Sequence, residues 1–492
     1  MDTTTEEPIV FATIQLKNRS VGVVSDRNGG FRIPERFKTL GDTLVVSSMG
    51  YENLEVPISV LSQDTTNRLS LSPAVFVLNE AVVRGRRKRK ISASKIVQKA
   101  VDAIPTNYPV KPFSLVGYYR DYQWDSKEYV NLNEAIIEIF DQGFQRVDSA
   151  TTETLIYDYR ENDAFRQDAY ARQKYDYTTG QKVIDKMQLR DFSGNEFRLL
   201  RIHDAIRNYK INTYDFVNRL TTDFISNHQF SKQESIYFED RSLYVIKSTY
   251  TSEGYLGRGL LYISPEDFSI HKMEYAVYDN EKRNDSGEPN KYGIDKRLIF
   301  ETVSEYRKKS GKMFLNYISF NNYFLLRDPP KFVVEEVTVD LAERCFVVRF
   351  NEEPKEEDAL SRNRYDVAFD GKKIGLEKVR LKEDEFYLYP KADKTVDDMF
   401  AALSASPAAR NKLMKLISVE SRKLEDIHGN VLNEWTTKEI NQFREFFVQE
   451  VNPSTLMPED ARVMNKNRPI FQNQPIAKGD NIDDYWMNTP LK

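Results

Sequence analysis

At roughly 150 residues per domain, a chain of 492 residues holds about three domains, each large enough to bury its own core. Its 40% hydrophobic and 30% charged residues, a mean hydropathy of -0.60 and the lack of an apolar run of the roughly 18 residues a spanning helix needs exclude a helical membrane body. A net charge of -4 gives no general pull toward nucleic acid, and the single cysteine, Cys345, forbids an internal disulfide while suiting cytosol and periplasm alike.

The 28 Tyr and 29 Phe, against 3 Trp and 4 His, recur at strand-like spacing with Val, Ile and Thr, so a mainly β, multidomain chain is expected. It opens "MDTTTEEPIVFATI", without the basic, apolar and small-residue segments of a signal peptide; because the first module starts abruptly, an export signal is expected outside the given sequence. In "SVGVVSDRNGGFRIP", residues 20–34, the alternating Val21, Val23 and Ser25 run into Asn28-Gly29, whose tolerance of positive φ marks a turn, and Phe31 and Ile33 resume the alternation. A β-hairpin is expected there. "DTLVVSSMGYENLEVPIS" adds two strands around a Gly50 turn, and "TNRLSLSP" with "LNEAVVRG" supplies the closing edge of a small sandwich over residues 1–85.

Together "EEPIVFATIQLKNRSVGVVSDRNGGFRIP", "LVVSSMGYE" and "LNEAVV" resemble the carboxypeptidase-regulatory-like β-sandwich found at the N-terminus of TonB-dependent transporters and related envelope proteins of Gram-negative bacteria. The resemblance covers residues 6–85. It implies an accessory fold without catalytic residues, and members carry one more strand ahead of the "EEPI" position, which here must come from upstream or from elsewhere. No H-x-x-E or H-E-x-x-H spacing of a metal peptidase occurs anywhere in the chain.

"RGRRKRK" follows, with Arg84, Arg86, Arg87, Lys88, Arg89 and Lys90 giving six positive charges in seven residues. Residues 86–91 read as a linker; the charge density also suits a contact with anionic lipid headgroups or lipopolysaccharide phosphates. Nucleic acid is not expected, since no second basic stripe accompanies the run.

A third region, residues 92–331, starts with "SASKIVQKAVDAIPTNYP", an amphipathic helix with Ser94 as candidate N-cap, an apolar stripe of Ile96, Val97, Ala100, Val101 and Ile104, and Pro105 as stop. Long aromatic strands follow, from "FSLVGYYRDYQW" to "RLIFETVSEYRKKSGKMFLNYISFNNYF", so a curved antiparallel sheet backed by the helix is expected. "GLLYISPEDFSIHKMEY" resembles the strand pairs of periplasmic lipoprotein-carrier proteins, open half-barrels with an apolar concave face. The aromatics then read either as core or as a greasy ligand groove.

From Phe332, "FVVEEVTVDLAERCFVVRFNEEP" and the distant "LEDIHGNVL" turn resemble the Ig-like modules of bacterial surface proteins, giving a sandwich over residues 332–447 with a helical insertion, "TVDDMFAALSASPAARNKLMKLI", broken near Pro407. Residues 448–492 are polar and dotted with five prolines, an extended tail in which Ile470, Phe471, Tyr485 and Trp486 are apolar anchors for a partner or for the chain's own domains.

No reaction is legible. "SASK" at Ser92–Lys95, "SGN" at Ser193–Asn195 and "KSG" at Lys309–Gly311 occur in the order of penicillin-binding proteins, but such short matches arise by chance in a chain of this length. Glu134 and Glu138 are one routine carboxylate pair among 75 acidic residues; His203, His228, His271 and His428 lack ligand-like spacing and are expected at the surface or in turns; Gly257 and Gly259 read as a hairpin turn. The expectation is a non-enzymatic binding or scaffold protein without cofactor or metal, in the periplasm at the outer membrane, accessory to a transport or assembly complex and bound to an envelope protein. A lipid or lipoprotein carrier built on the central sheet is the alternative, and a hydrolase the third.

Overall fold

The computed structural model describes residues 1–17, 21–26, 28–74, 91–189, 194–210, 220–238, 241–284, 287–290, 292–479 and 482–489. Two units divide the chain: residues 1–326 with 439–492, and residues 327–438.

The chain is mainly β and multidomain. In the first unit one large antiparallel sheet runs in the order Ile236–Phe238, Arg241–Ser252, Tyr255–Ile263, Ile270–Arg283, Lys296–Lys309, Lys312–Asp328, Thr436–Pro453, Phe113–Trp124, Tyr129–Asp141, Glu153–Glu161. Every long strand read from the sequence is present. The departure is Thr436–Pro453. The expected Ig-like module reached residue 447 and the tail began at 448, whereas residues 439–453 form a central strand paired with Phe113–Trp124, from Asn441 opposite Trp124 to Pro453 opposite Phe113. The reason is two-sided burial: "NQFREFFVQ" buries nine consecutive residues on both faces, so its Arg and Glu, which look like surface charges, stand inside.

Side chains alternate between two buried faces of this sheet. Leu115 and Tyr119 join Ile137, Phe446 and Phe320 on the inner face, while Val116, Tyr118 and Ile136 cluster on the outer one. Helix Ala93–Asp102 packs on the inner face through Ile96, Val97, Ala100 and Val101, the stripe expected from its period. Its N-cap is Ser92, whose Oγ accepts from Lys95 N at 3.3 Å, rather than Ser94; Pro105 does not end the chain's helical run but sits in the first turn of a short second helix, Ile104–Asn107. Helix Glu196–Ile202 also packs on the inner face, with Phe197 edge-on to Tyr119 at 5.0 Å and to Phe446 at 5.6 Å.

In the N-terminal module a four-stranded antiparallel sheet runs Gly22–Val24, Thr13–Leu16, Thr43–Ser47, Leu54–Pro57. The expected hairpin is displaced: Gly22–Val24 pairs back onto Thr13–Leu16, and Phe31 and Ile33 pack on the core outside any ladder. The turn itself is held by Asp26, whose Oδ1 accepts from Asn28 N at 2.8 Å and Gly30 N at 2.7 Å, with Gly29 at φ +72°.

The second unit packs a four-stranded sheet, Val334–Asp340, Cys345–Phe350, Glu385–Pro390, Leu376–Lys382, and a three-stranded sheet, Lys372–Ile374, Tyr365–Phe369, Ile417–Ser421, around one core that includes Phe346, Val348, Val367 and Leu388. The insertion forms helices Lys394–Ala405 and Pro407–Met414, broken where expected. Its "LEDIHGNVL" segment repeats the first module's turn: Asp426 Oδ1 accepts from His428 N at 2.9 Å and Asn430 N at 2.7 Å, and Gly429 has φ +83°. Since a β-branched residue at positive φ is strained, Gly29→Val and Gly429→Val should each destabilise their own unit by about 1–2 kcal/mol. At Gly429 an added Cβ meets nothing within 4 Å, so the loss there is conformational alone. Thermal melting of the two variants checks this; an unchanged midpoint for Gly429→Val would contradict it.

Candidate functional site

The inner face of the large sheet is the groove that a carrier would use, and the chain fills it with its own side chains. At its centre Arg444, with no exposed surface, donates from Nε to Glu196 Oε2 at 2.5 Å, from Nη1 to Asn322 Oδ1 at 2.7 Å and from Nη2 to Tyr175 OH at 3.1 Å, its guanidinium 5.0 Å from the Phe320 ring centre. Beside it Asp121 accepts from Tyr119 OH at 2.9 Å and Asn133 Nδ2 at 3.0 Å; burial, then the Glu196 charge, pushes its carboxyl up to about 7. Lys182 donates to Ala171 O at 2.7 Å, and burial lowers it to about 8. A second buried cluster pins the 196–208 segment to the sheet end: Arg207 makes a bidentate pair with Asp141 at 2.7 and 2.8 Å, and Arg201 reaches Asp148 at 2.5 Å.

Three of the four histidines are buried and not at the surface, and of these three His203 alone stands in a turn. His203 stacks on Phe320 at 3.7 Å, His228 meets Tyr275 OH at 2.7 Å through Nε2, and His271 is buried beside Phe238. Burial lowers them to about 3, 4 and 4; His203 and His428 lie in turns. A histidine with a depressed folded pKa is neutral in the fold while the unfolded chain protonates below about 6.5, so its contribution is present above that pH and is lost as pH falls toward the folded value. Each therefore removes about 2 kcal/mol between pH 7 and 5. Asp121 and Asp204, both raised in the fold first by burial, work the other way but are two groups against three. Stability should fall between pH 7 and 5, as urea midpoints would reveal; a flat or rising profile would contradict the three buried neutral imidazoles.

The turn expected at Gly257 and Gly259 lies instead at Gly254, φ +84°. Both glycines stand in strand Tyr255–Ile263, where the Tyr275 ring lies across them: a Cβ at Gly257 would sit 2.4 Å from Tyr275 OH, and one at Gly259 2.5 Å from Ser248 Oγ.

On the outer face the N-terminal module and the C-terminal tail meet. Phe11 packs on Tyr317 at 5.2 Å, Val24 joins Tyr317 and Phe447, Arg307 Nη2 donates to Thr13 Oγ1 at 3.0 Å, and Gly50 N donates to Tyr237 O at 3.1 Å. Arg120, 2% exposed, pairs with Glu445 and donates to Asn488 O at 2.6 Å. Of the two roles open to the tail anchors, the structure shows them packed on the chain's own domains. Ile470 is buried in the main core, and Phe471 is half-buried with the Arg172 guanidinium 3.8 Å from its ring centre. Tyr485 OH donates to Glu450 at 2.5 Å. Trp486, with no exposed surface, enters the core of the N-terminal module against Phe37 at 5.7 Å, its backbone held by both ends of the Gln449 amide at 2.8 and 2.6 Å. Earlier in the tail, Met464 N and Ala477 N donate to Thr154 O and Ile156 O, each at 2.8 Å, covering the edge strand Glu153–Glu161. Asn488 bridges Val24 O at 3.0 Å and Arg32 N at 2.9 Å.

Among the outer-face strands a cavity of about 500 Å³ remains, floored by Leu260, Ala276 and Val303 and closed by Phe11 and Tyr292. Arg258 and Lys247 stand at one side of it and Glu274 and Glu301 at the other.

Arg84, Arg86, Arg87, Lys88, Arg89 and Lys90 lie outside the described residues, as does Ser193. Ser92 caps its helix; Asn195 caps Glu196–Ile202 and donates to Arg468 O at 2.9 Å; Ser310 and Gly311 make the turn between two strands. Glu134 and Glu138 share the outer face of strand Tyr129–Asp141, where Glu134 accepts from Tyr118 OH and Thr489 Oγ1 and Glu138 from Tyr157 OH. Among the described residues no group of three or more His, Cys, Asp or Glu is set to hold a metal ion, and no helix is long and apolar enough to cross a membrane.

The fold thus defines a mainly β, multidomain chain with an accessory module docked on a large sheet. Residues 1–83 match the family model of the CarboxypepD_reg-like domain. No curated protein matches the chain. Among solved structures, a LolA superfamily protein from Nitrosomonas europaea is similar over 47% of this chain and 86% of its own, at 12% identity and a TM-score of 0.22. A putative outer membrane lipoprotein-sorting protein domain from Vibrio parahaemolyticus covers the same shares at 11% identity and 0.20, and MucB in complex with MucA covers 67% of this chain and 99% of its own at 9% and 0.15.

Proposed function

We propose that the chain is a non-catalytic binding and scaffold protein of the bacterial cell envelope, periplasmic at the outer membrane and accessory to a transport or assembly complex. The observation that carries this reading is the fixed docking of the CarboxypepD_reg-like domain on the outer face of the large sheet by Trp486 and Asn488, while the inner face is filled by Arg444, Phe197 and the helix Ala93–Asp102. A rigid composite surface suits recognition of a protein partner, and a filled groove offers an acyl chain no room. The six charges from Arg84 to Lys90 would add about 1 kcal/mol each beside an anionic membrane surface.

Crosslinking in intact envelopes, with identification of the captured protein, tests the reading: a defined outer-membrane or periplasmic partner is expected. Capture of no partner, together with an acyl ligand retained by the delipidated protein and photocrosslinked to inner-face residues such as Tyr119 or Phe197, would favour the carrier instead.

A further inference from the structure

The outer-face cavity has a chemistry of its own. Strand register places two rows side by side on its floor: Lys247, Leu260, Glu274, Val303, and next to it Thr249, Arg258, Ala276, Glu301. Small Ala276 leaves the depression between longer neighbours. Each carboxylate already has partners. Glu274 pairs with Lys272 at 2.7 Å and accepts from Tyr292 OH at 3.1 Å, and Glu301 accepts from Asn321 Nδ2 at 3.1 Å. The cations at the other side do not: Arg258 donates to the carbonyl of its neighbour Gly257 at 3.1 Å, and among the described residues neither Arg258 nor Lys247 has a carboxylate within ion-pair distance. Arg258 is half-buried on the face that also carries Ala276 and Tyr278, and that burial lowers its affinity for its proton. Counting Lys272, three cations face two carboxylates, which leaves one positive charge over.

A half-buried guanidinium that the fold does not neutralise, beside an apolar floor and an aromatic roof, is matched by one negative charge on a greasy body. We propose that this cavity binds a small amphipathic monoanion, a carboxylate or phosphate carried on an apolar body, with its head on Arg258 and Lys247 and its body on Leu260 and Ala276 against Phe11. Phe11 belongs to the N-terminal module and the other four to the sheet, so a ligand here would bridge the two and strengthen their docking. The inference gives the binding reading a ligand class, and it holds or fails whether or not an envelope partner is captured.

The test is titration of the full chain by calorimetry with octanoate and methyl octyl phosphate, a monoanionic diester, with octanol as the uncharged control and inorganic phosphate as the head group alone. Binding of at least one octyl anion is expected, with octanol and inorganic phosphate at least tenfold weaker; which anion binds tighter separates a carboxylate from a phosphate source. Arg258→Gln with Lys247→Gln should weaken that anion at least tenfold and leave octanol unchanged, and Ala276→Leu should reduce every probe by filling the floor, both variants melting within a few degrees of the parent. The proposal fails if neither octyl anion binds, if octanol binds as well as the anions, or if the double variant binds like the parent.

Discussion

Trp486→Ala is expected to destabilise the first unit by about 3–5 kcal/mol, the range for truncating a fully buried tryptophan. The indole has no exposed surface and packs with Phe37, Leu44 and Val46, which are core residues of a module more than 400 positions earlier in the chain. Removing it leaves a cavity in that module and loosens the Gln449 amide that holds the Trp486 backbone at both ends. The fault should therefore be local to the N-terminal module. Limited proteolysis should cut within residues 1–74 at denaturant concentrations where the parent resists, and the most buried component of the tryptophan emission should vanish. Trp435, 47% exposed, is the control: its replacement by alanine should change stability by less than about 0.5 kcal/mol. If Trp486→Ala were as mild as Trp435→Ala, the tail would not complete the N-terminal core.

Sequence patterns sufficed wherever one local period decided the structure. The stripe Ile96, Val97, Ala100, Val101 fixed the helix, two-residue alternation found the long strands, and Asn28-Gly29 and the "LEDIHGNVL" motif marked the turns at Asp26 and Asp426. Local patterning failed where burial depends on distant partners. Arg444 and Glu445 carry no local signal of burial, yet the pleat sends one to each face, Arg444 to Glu196 and Glu445 to Arg120. Phe31 and Ile33 kept the alternation of a strand but have no neighbour to pair with, so they pack without a ladder. His203 and His228 carried no sequence signal of burial, because a neutral imidazole inside a core is fixed by ring contacts made far along the chain, to Phe320 and Tyr275. The outer-face cavity was hidden for the same reason. Its chemistry rests on cross-strand register and on Phe11, and a linear reading holds neither.

Arg444→Met should remove about 3–5 kcal/mol, because it deletes the cation and leaves its partner carboxylate in the core. Methionine keeps much of the volume, so the loss reports the charge more than a cavity. Glu196 then faces Asp121 with no guanidinium between the two acids, and Asn322 and Tyr175 each lose a partner. Two further measurements separate electrostatics from packing. In the Arg444→Met, Glu196→Gln double variant no buried charge is stranded, and most of the loss should return, giving a coupling energy well above the few tenths of a kcal/mol expected of independent sites. In the single variant Asp121, already raised to about 7 by burial and the Glu196 charge, loses the Arg444 charge that lowers it and is raised further; a raised folded pKa gives stability that is present at low pH and lost as pH rises. The deficit relative to the parent at the same pH should therefore shrink from pH 7 to pH 5, even while the buried histidines pull both proteins down. A deficit that stays constant across that range, with no recovery in the double variant, would mean that Arg444 acts by filling space and that the polar centre of the sheet is not held by its charge.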